Sequence, residues 1–220
     1  VVDFRLKTLK FFQIAIENAE NFTKFIENHA ETLTHVEFSY CASISILNCL
    51  KNVKKIKKLT SEWSEPDDDD YDVRENVEEL KISTTYTFDL AVKFPNLTKV
   101  DVHVKSDAQS LKLGRFEKLT HLRVGGCTIH DLTVSASTKS ISFYDYSFAA
   151  MPRFEHFQFD EIKLVNCQNA DWLAEFLAKN ETRVKKLTMK SMEMSNEILM
   201  AIGENWSKVQ SLIIKDVKFL

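Results

Sequence analysis

Apolar residues recur along the chain as a triplet, apolar-x-x-apolar-x-apolar. The clear copies are Leu9/Phe12/Ile14, Leu33/Val36/Phe38, Val77/Leu80/Ile82, Leu97/Val100/Val102, Leu119/Leu122/Val124, Phe159/Ile162/Leu164, Val184/Leu187/Met189 and Val209/Leu212/Ile214. Two copies are weaker. Ile141/Phe143 has Thr138 in its first slot, and Val53/Ile56 has Lys58 in its third with Leu59 beside it, which predicts a shifted or bulged strand. With the middle residue as anchor, the ten anchors fall at 12, 36, 56, 80, 100, 122, 141, 162, 187 and 212, spaced by 19 to 25 residues. A period of this length predicts a stack of similar units, each too small to bury its apolar side alone. Within each unit the alternation marks a short strand whose anchor faces inward.

The residues between strands return the chain across the other side of the sheet. Phe22/Phe25/Ile26/His29, Trp172/Leu173/Phe176/Leu177 and Ile198/Leu199/Ile202 have spacings of three and four, which predicts amphipathic helices, the last behind a cap at Ser195. The middle units, 19 to 22 residues long, leave room for only a short helical turn, whereas the last two leave room for about three turns. The expected fold is α/β: a solenoid of about ten repeats over residues 1–220, with a curved parallel sheet on its concave face and helices and turns on its convex face.

Three of the four cysteines share one phase of a pattern that was set by other residues. Cys41, Cys127 and Cys167 each stand five residues after an anchor, and Met192 and Val217 fill that slot in the last two units. The stretches Leu33 to Cys41 (LTHVEFSYC), Leu119 to Cys127 (LTHLRVGGC) and Phe159 to Cys167 (FDEIKLVNC) resemble the leucine-rich-repeat family, whose core is L-x-x-L-x-L-x-x-N/C, and specifically its cysteine-containing subclass common in F-box proteins. The resemblance covers nearly the whole chain. Other copies depart from it, with Glu17, Ser61, Thr85, Lys105 and Tyr146 in the cysteine slot. It implies a protein-binding module with no catalytic site, the substrate-recognition arc of an F-box-type ubiquitin ligase adaptor. The F-box itself has no counterpart in these residues, so a Skp-type adaptor is implied as partner only if an F-box precedes Val1. The chain starts at Val1 and ends on the hydrophobic Phe219 and Leu220, as a piece of a longer chain would.

Composition adds limits. A hydrophobic content of 44% supports a continuous core, and no apolar run approaches the roughly 20 residues that span a bilayer. The formal charge of −3 gives no general reason to expect nucleic acid or membrane as a partner, and the expected state is a monomer. The cysteines lie in different units without a C-x-x-C pair, so they read as buried thiols rather than metal ligands or disulfides; Cys49, on a predicted helix, adds no pair. Free thiols suit the cytoplasm or nucleus. Four N-x-S/T sequons, at Asn21, Asn96, Asn180 and Asn205, keep a secreted or surface recognition protein as the alternative.

Residues at one before, one after and three after an anchor are expected on the concave face. From the second unit onward these include Lys55, Lys57, Lys81, Lys99, Arg123, Lys163, Lys186, Lys190 and Lys215 against Glu37, Glu79, Asp101 and Glu161, a face at +5 on a chain at −3. An acidic protein partner would be favoured there, although lysines also keep an exposed sheet soluble. Tyr144 and Ile213 are candidate hydrophobic contacts. His35, His103 and His121 fall on the same face, but His103 and His121 are offset by about 13 Å along adjacent strands and cannot share a metal. No H-E-x-x-H, G-x-S-x-G or P-loop string occurs, Gly125-Gly126 reads as a turn, and no catalytic, cofactor or metal site is expected. The acidic segment Glu62 to Asp72 (EWSEPDDDDYD) reads as an inserted loop. Its alternatives are a regulatory or partner-contacting loop, with Trp63 and Tyr71 as contacts and Ser64 as a phosphorylation site, or a plug that folds back on the concave lysines.

Overall fold

A computed structural model describes residues 5–41, 49–62, 74–84, 90–104, 111–112, 116–126, 132–179 and 181–219. Cys127, Asn180 and the loop residues Trp63, Ser64 and Tyr71 lie outside the described residues, as does most of the helix expected around Cys49. In chain order the elements are β1 (Thr8–Phe12), α1 (Ala19–Glu27), β2 (His35–Ser39), β3 (Lys58–Glu62), β4 (Glu79–Thr84), α2 (Leu90–Lys93), β5 (Lys99–Val104), β6 (Leu111–Lys112), β7 (His121–Gly125), β8 (Leu132–Val134), β9 (Ser140–Tyr144), β10 (Arg153–Phe154), β11 (Gln158–Val165), α3 (Trp172–Ala178), β12 (Arg183–Lys190), β13 (Glu193–Met194), α4 (Asn196–Glu204), β14 (Val209–Lys215) and β15 (Lys218–Phe219).

Ten of these strands form one parallel sheet in the order β1-β2-β3-β4-β5-β7-β9-β11-β12-β14. The molecule is therefore α/β, and the strands of the main sheet follow one another in chain order. Leu9, Val36, Leu59, Leu80, Val100, Leu122, Ile141, Ile162, Leu187 and Leu212 stand side by side across it. Eight of the ten anchors read from the sequence occupy this row. Two are corrected by three residues each. In β1 the inward residue is Leu9, 9% exposed, whereas Phe12 is 61% exposed. In β3 it is Leu59, and Ile56 is buried just before the strand. The causes differ: in β1 the exposed aromatic Phe12 at the sheet edge mimics an anchor although Leu6, Leu9 and Phe11 complete the triplet, and in β3 Ser61 occupies the third slot between Phe38 and Ile82, buried but polar.

Seven strands of the main sheet end in the same way. The residue four after the central one takes a left-handed backbone in Gln13, Tyr40, Asp145, Asn166, Ser191 and Asp216, with φ between 49° and 58°, and in Gly126 at 102°. This conformation costs most side chains energy, yet it turns the chain off the sheet while its N–H still donates into the next strand. Gln13 donates to Ser39 O, Asp145 to Val165 O, Asn166 to Lys190 O and Ser191 to Lys215 O, at 2.9 to 3.0 Å. The following residue points into the core, where Cys41, Tyr146, Cys167 and Met192 are buried. The thiols of Cys41 and Cys167 donate to the carbonyls of Ser39 and Val165 at 3.6 and 3.5 Å. Burial pushes the Cys167 thiol up to about 11.

The covered face of the sheet is closed by the return segments. In the longer units these are helices. Asn18 caps α1 by accepting from Asn21 N at 2.9 Å, and the ring of Phe22 packs 5.2 Å from Phe11 and 5.9 Å from Phe38. On α3, Trp172, Leu173, Phe176 and Leu177 are all buried, with Trp172 5.2 Å from Phe148 and Phe176 4.9 Å from Phe154 between ring centres. Ser195 precedes α4 as expected, but its hydroxyl makes no cap and donates to Asp171 instead. Of the middle units, the one between β4 and β5 keeps a single helical turn, α2, whereas those after β5, β7 and β9 are extended: β6, β8 and β10 form a second, three-stranded parallel sheet. An extended chain rises about 3.3 Å per residue against 1.5 Å in a helix, so it crosses the same distance with fewer residues. No helix among the described residues is long and apolar enough to cross a membrane.

Two measurements check this register. Leu9→Ala should lower unfolding stability by about 2 kcal/mol or more, while Phe12→Ala should cost less than about 1 kcal/mol, by urea denaturation. The raised Cys167 thiol favours the protonated form in the folded state, so its contribution is present below the ordinary thiol value near 9.0 and lost as pH rises towards 11. Iodoacetamide at pH 8.5 should therefore label Cys167 slowly in native protein and rapidly in urea, read by mass spectrometry.

Candidate functional site: the open face of the sheet

Among the described residues the side of the main sheet opposite the core carries no helix, and parallel pairing sorts its side chains into rows. One row runs His35, Lys58, Glu79, Lys99, His121, Ser140, Glu161, Lys186 and Ser211. A second, two residues further along each strand, runs Lys10, Glu37, Thr60, Lys81, Asp101, Arg123, Ser142, Lys163, Thr188 and Ile213. A third includes His103, Gly125, Tyr144, Val165, Lys190 and Lys215. Lys81, Lys99, His103, His121, Arg123, Tyr144, Lys163, Lys186, Lys190, Ile213 and Lys215 thus share one surface.

Lys55 and Lys57 do not. They precede β3, where Lys55 pairs with Glu31 at 2.8 Å and Lys57 with Glu78 at 3.1 Å, at the edge where the chain enters the strands. The three-residue shift of the third unit moved them off the face and brings Lys58 onto it. Among the side chains described, the face from the second unit onward therefore carries eight cations against four acids, +4 in place of +5.

The charges are arranged as a ladder. Glu37 holds Lys10 at 2.6 Å, and Glu79 lies between Lys58 at 3.3 Å and Lys99 at 2.7 Å. The hydrogen bond from Lys99 is the largest cause that holds the Glu79 carboxyl below its ordinary range. Asp101 meets Arg123 at 3.5 Å and Glu161 meets Lys186 at 2.9 Å. These pairs are solvent-exposed, so each contributes at most about 1 kcal/mol and serves mainly to fix the positions of long side chains. Threonines before the strands add order: Thr34, Thr98 and Thr120 donate to the carbonyls of Lys7, Glu78 and Thr98 at 3.0 to 3.2 Å. The hydroxyls of Thr34 and Thr120 also lie 2.9 and 2.8 Å from Nδ1 of His35 and His121.

The middle of the face holds one aromatic cluster. The hydroxyl of Tyr144 donates to Asp101 at 3.0 Å, two strands away, and the Arg123 guanidinium sits 4.1 Å from the centre of the Tyr144 ring. His103 stacks on the other side with centres 5.9 Å apart. Burial, with the nearby Asp101 charge, pushes the phenol well above its ordinary range, so Tyr144 is a hydrogen-bond donor at any physiological pH. Gly125 makes this possible. It is the last residue of β7 rather than a turn residue, and a Cβ there would lie 2.5 Å from the Tyr144 ring. The missing side chain leaves the gap through which the ring crosses the strand; Gly126 supplies the turn. The Gly125-Gly126 pair at the end of an otherwise regular strand was the available signal for this arrangement. Beside the cluster a shallow depression of about 480 Å³ runs over Lys58, Glu79, Lys99, Asp101, His121 and Arg123.

No metal-holding group of His, Cys, Asp or Glu is found among the described residues. No family model matches the chain, and neither the curated proteins nor the solved structures contain a match.

Gly125→Val should expel Tyr144 from the face and break its bond to Asp101. The expected result is a loss of about 1–3 kcal/mol of stability and a changed near-ultraviolet tyrosine signal, with the far-ultraviolet spectrum retained. An unchanged tyrosine signal would contradict the assigned role of Gly125.

Proposed function

We propose that this chain is a leucine-rich-repeat recognition module that acts by binding a protein partner on the open face of its sheet, without catalysis. The observation that carries this reading is the Tyr144–Arg123–Asp101–His103 cluster, a partly desolvated and pre-positioned Tyr and Arg at the centre of a surface ten strands wide that no described segment covers. Tyr and Arg are the residue types that most often carry binding energy at protein interfaces, and fixed side chains lose less entropy on binding. The repeat identity is supported by the unit itself: two inward residues, a left-handed turn and a buried fifth residue that is Cys41 or Cys167 in two units. These fit L-x-x-L-x-L-x-x-C. On that resemblance, the arc selects substrates for an F-box-type ubiquitin ligase in the cytoplasm or nucleus, with a Skp-type adaptor as partner only if an F-box precedes Val1.

The alternative, a secreted or surface recognition protein, draws on the sequons. Asn21 is exposed on α1, whereas Asn96 and Asn205 already donate to Glu75 O and Ala201 O. A mobility shift after glycosidase treatment of native protein would favour this second reading.

Capture from extracts of the source cells by the immobilised full chain tests the first. Wild-type protein should retain a defined partner, and Arg123→Ala should weaken that partner at least 10-fold, or about 1.4 kcal/mol, with thermal stability nearly unchanged. Equal retention by wild type and Arg123→Ala would sink the assignment of the face.

A further inference from the structure

The last unit keeps its inward residues but lacks a cover over them. Leu212, Ile214, Val217 and Phe219 stand where Leu187, Met189, Met192 and Met194 stand one unit earlier. The earlier four are 0 to 5% exposed, whereas Ile214 is 38% and Phe219 54% exposed, and Leu212 and Val217 are only half-buried. The first unit shows no such gap, because α1 lies over it: Leu9, Ile16 and Ile26 are all buried, and Phe11 packs on Phe22. A return segment follows the strand it covers, and among the described residues β14 is followed only by a turn and β15.

β14 is also an edge strand. The carbonyl of Lys215 accepts from Ser191 N and so points towards β12. Backbone groups of successive strand residues point to opposite sides, so those of Ser211, Ile213 and Lys215 face β12, and those of Gln210, Leu212 and Ile214 face away from the sheet. Among the described residues no strand pairs with them. β14 contains no proline to block pairing, and an open edge beside exposed apolar side chains is a template for another strand.

We propose that β14 is the dimer interface of this chain: the β14 edges of two copies pair antiparallel about a two-fold axis that passes through Leu212, normal to the sheet. An axis in that direction keeps the inward rows of both copies on one side, whereas an axis along the strands would turn them to opposite sides. Centred on Leu212, it sets Leu212 against Leu212 of the partner subunit and Gln210 against Ile214 of the partner subunit. The outward N–H and C=O groups of all three residues then find partners in one ladder. A ladder this short is marginal alone, and the joined apolar row from Leu212 to Phe219 supplies the rest of the association. Charge agrees. The entrance of one β14, flanked by Glu204 and Lys208, meets the exit of the other, flanked by Lys215, Asp216 and Lys218, so opposite signs can pair and the two Lys215 residues stay about 20 Å apart. Stacking β14 on the β1 edge of another copy, with Leu212 beside Leu9, would instead set Ile213 beside Lys10 and Lys215 beside Phe12, apolar against charged at both places. The monomer expected from the sequence becomes the dissociated form. The open face stays uncovered in the dimer, so the inference does not depend on the role proposed for that face.

Sedimentation velocity of the full chain between about 1 and 200 µM tests this. The expected result is a shift from monomer to dimer with no larger species. Ile214→Lys should raise the dimer dissociation constant at least 10-fold with an unchanged far-ultraviolet spectrum, whereas Val92→Lys, which charges an apolar residue 52% exposed on α2, should leave it within twofold. A second variant fixes the register without disturbing the fold through charge. Leu212 and its copy across the axis stand about 5.5 Å apart at Cα, within disulfide reach, so Leu212→Cys should form a covalent dimer under mild oxidation. Gln210→Cys, about 14 Å from its copy, and the unsubstituted chain should not. A monomer at every concentration overturns the proposal, as does a dimer indifferent to Ile214→Lys or one that cross-links through Gln210→Cys and not Leu212→Cys. Oligomers that grow beyond the dimer, as head-to-tail stacking on β1 would give, overturn it equally.

Discussion

Parallel backbone pairing in a single register is the constraint from which the other features follow. Each strand supplies N–H and C=O groups to both neighbours, so a one-residue slip in any strand would turn its inward row outward. The row from Leu9 to Leu212 shows no such slip across ten strands. Its consequence is a face that is apolar except at Ser61 and must be covered along its full width. The return segments exist to cover it, whether as helices under the long units or as the short β6–β8–β10 sheet under the middle ones.

The same register creates the open face. Because identical positions of successive units lie side by side, a residue type at a given offset becomes a row, and charge is patterned in two dimensions. Glu79 between Lys58 and Lys99 is one product, in which alternating sign along a row neutralises itself. Lys190 opposite Lys215 is another, in which the repeat places like charges together. The Tyr144 cluster is a third: a side chain from β9 reaches Asp101 on β5 only because β7 carries a glycine between them. Recognition by such a surface depends on which rows are self-compensated and which remain available.

Legibility followed the physics of each feature. Period and strand alternation arise from burial, which leaves an apolar mark in the sequence, and eight central residues were readable from it. The marks failed at Phe12 and at Ser61, where an exposed aromatic at the sheet edge and a buried polar residue reverse the usual assignment. The misplacement of Lys55 and Lys57 followed directly from Ser61. The left-handed turn after seven of the strands was only partly readable: Gly126, Asp145, Asn166 and Asp216 are types that tolerate it, whereas Gln13, Tyr40 and Ser191 give no such sign. They share a demand of the ladder, that one further N–H be donated before the chain leaves the sheet.

The amino-acid sequence by itself determined that this chain stacks about ten short strands, which sides of most of them face inward, and that thiols at Cys41 and Cys167 belong to the core. These properties depend on local spacing and on transfer of apolar groups from water, both of which are carried by the residues themselves. Tertiary structure alone decided which charges meet, that Lys58 and not Lys57 faces outward, that Tyr144 crosses Gly125 to reach Asp101, and that Thr188 is buried among lysines. Those are relations between residues 19 to 43 positions apart, and the register of the whole sheet sets them.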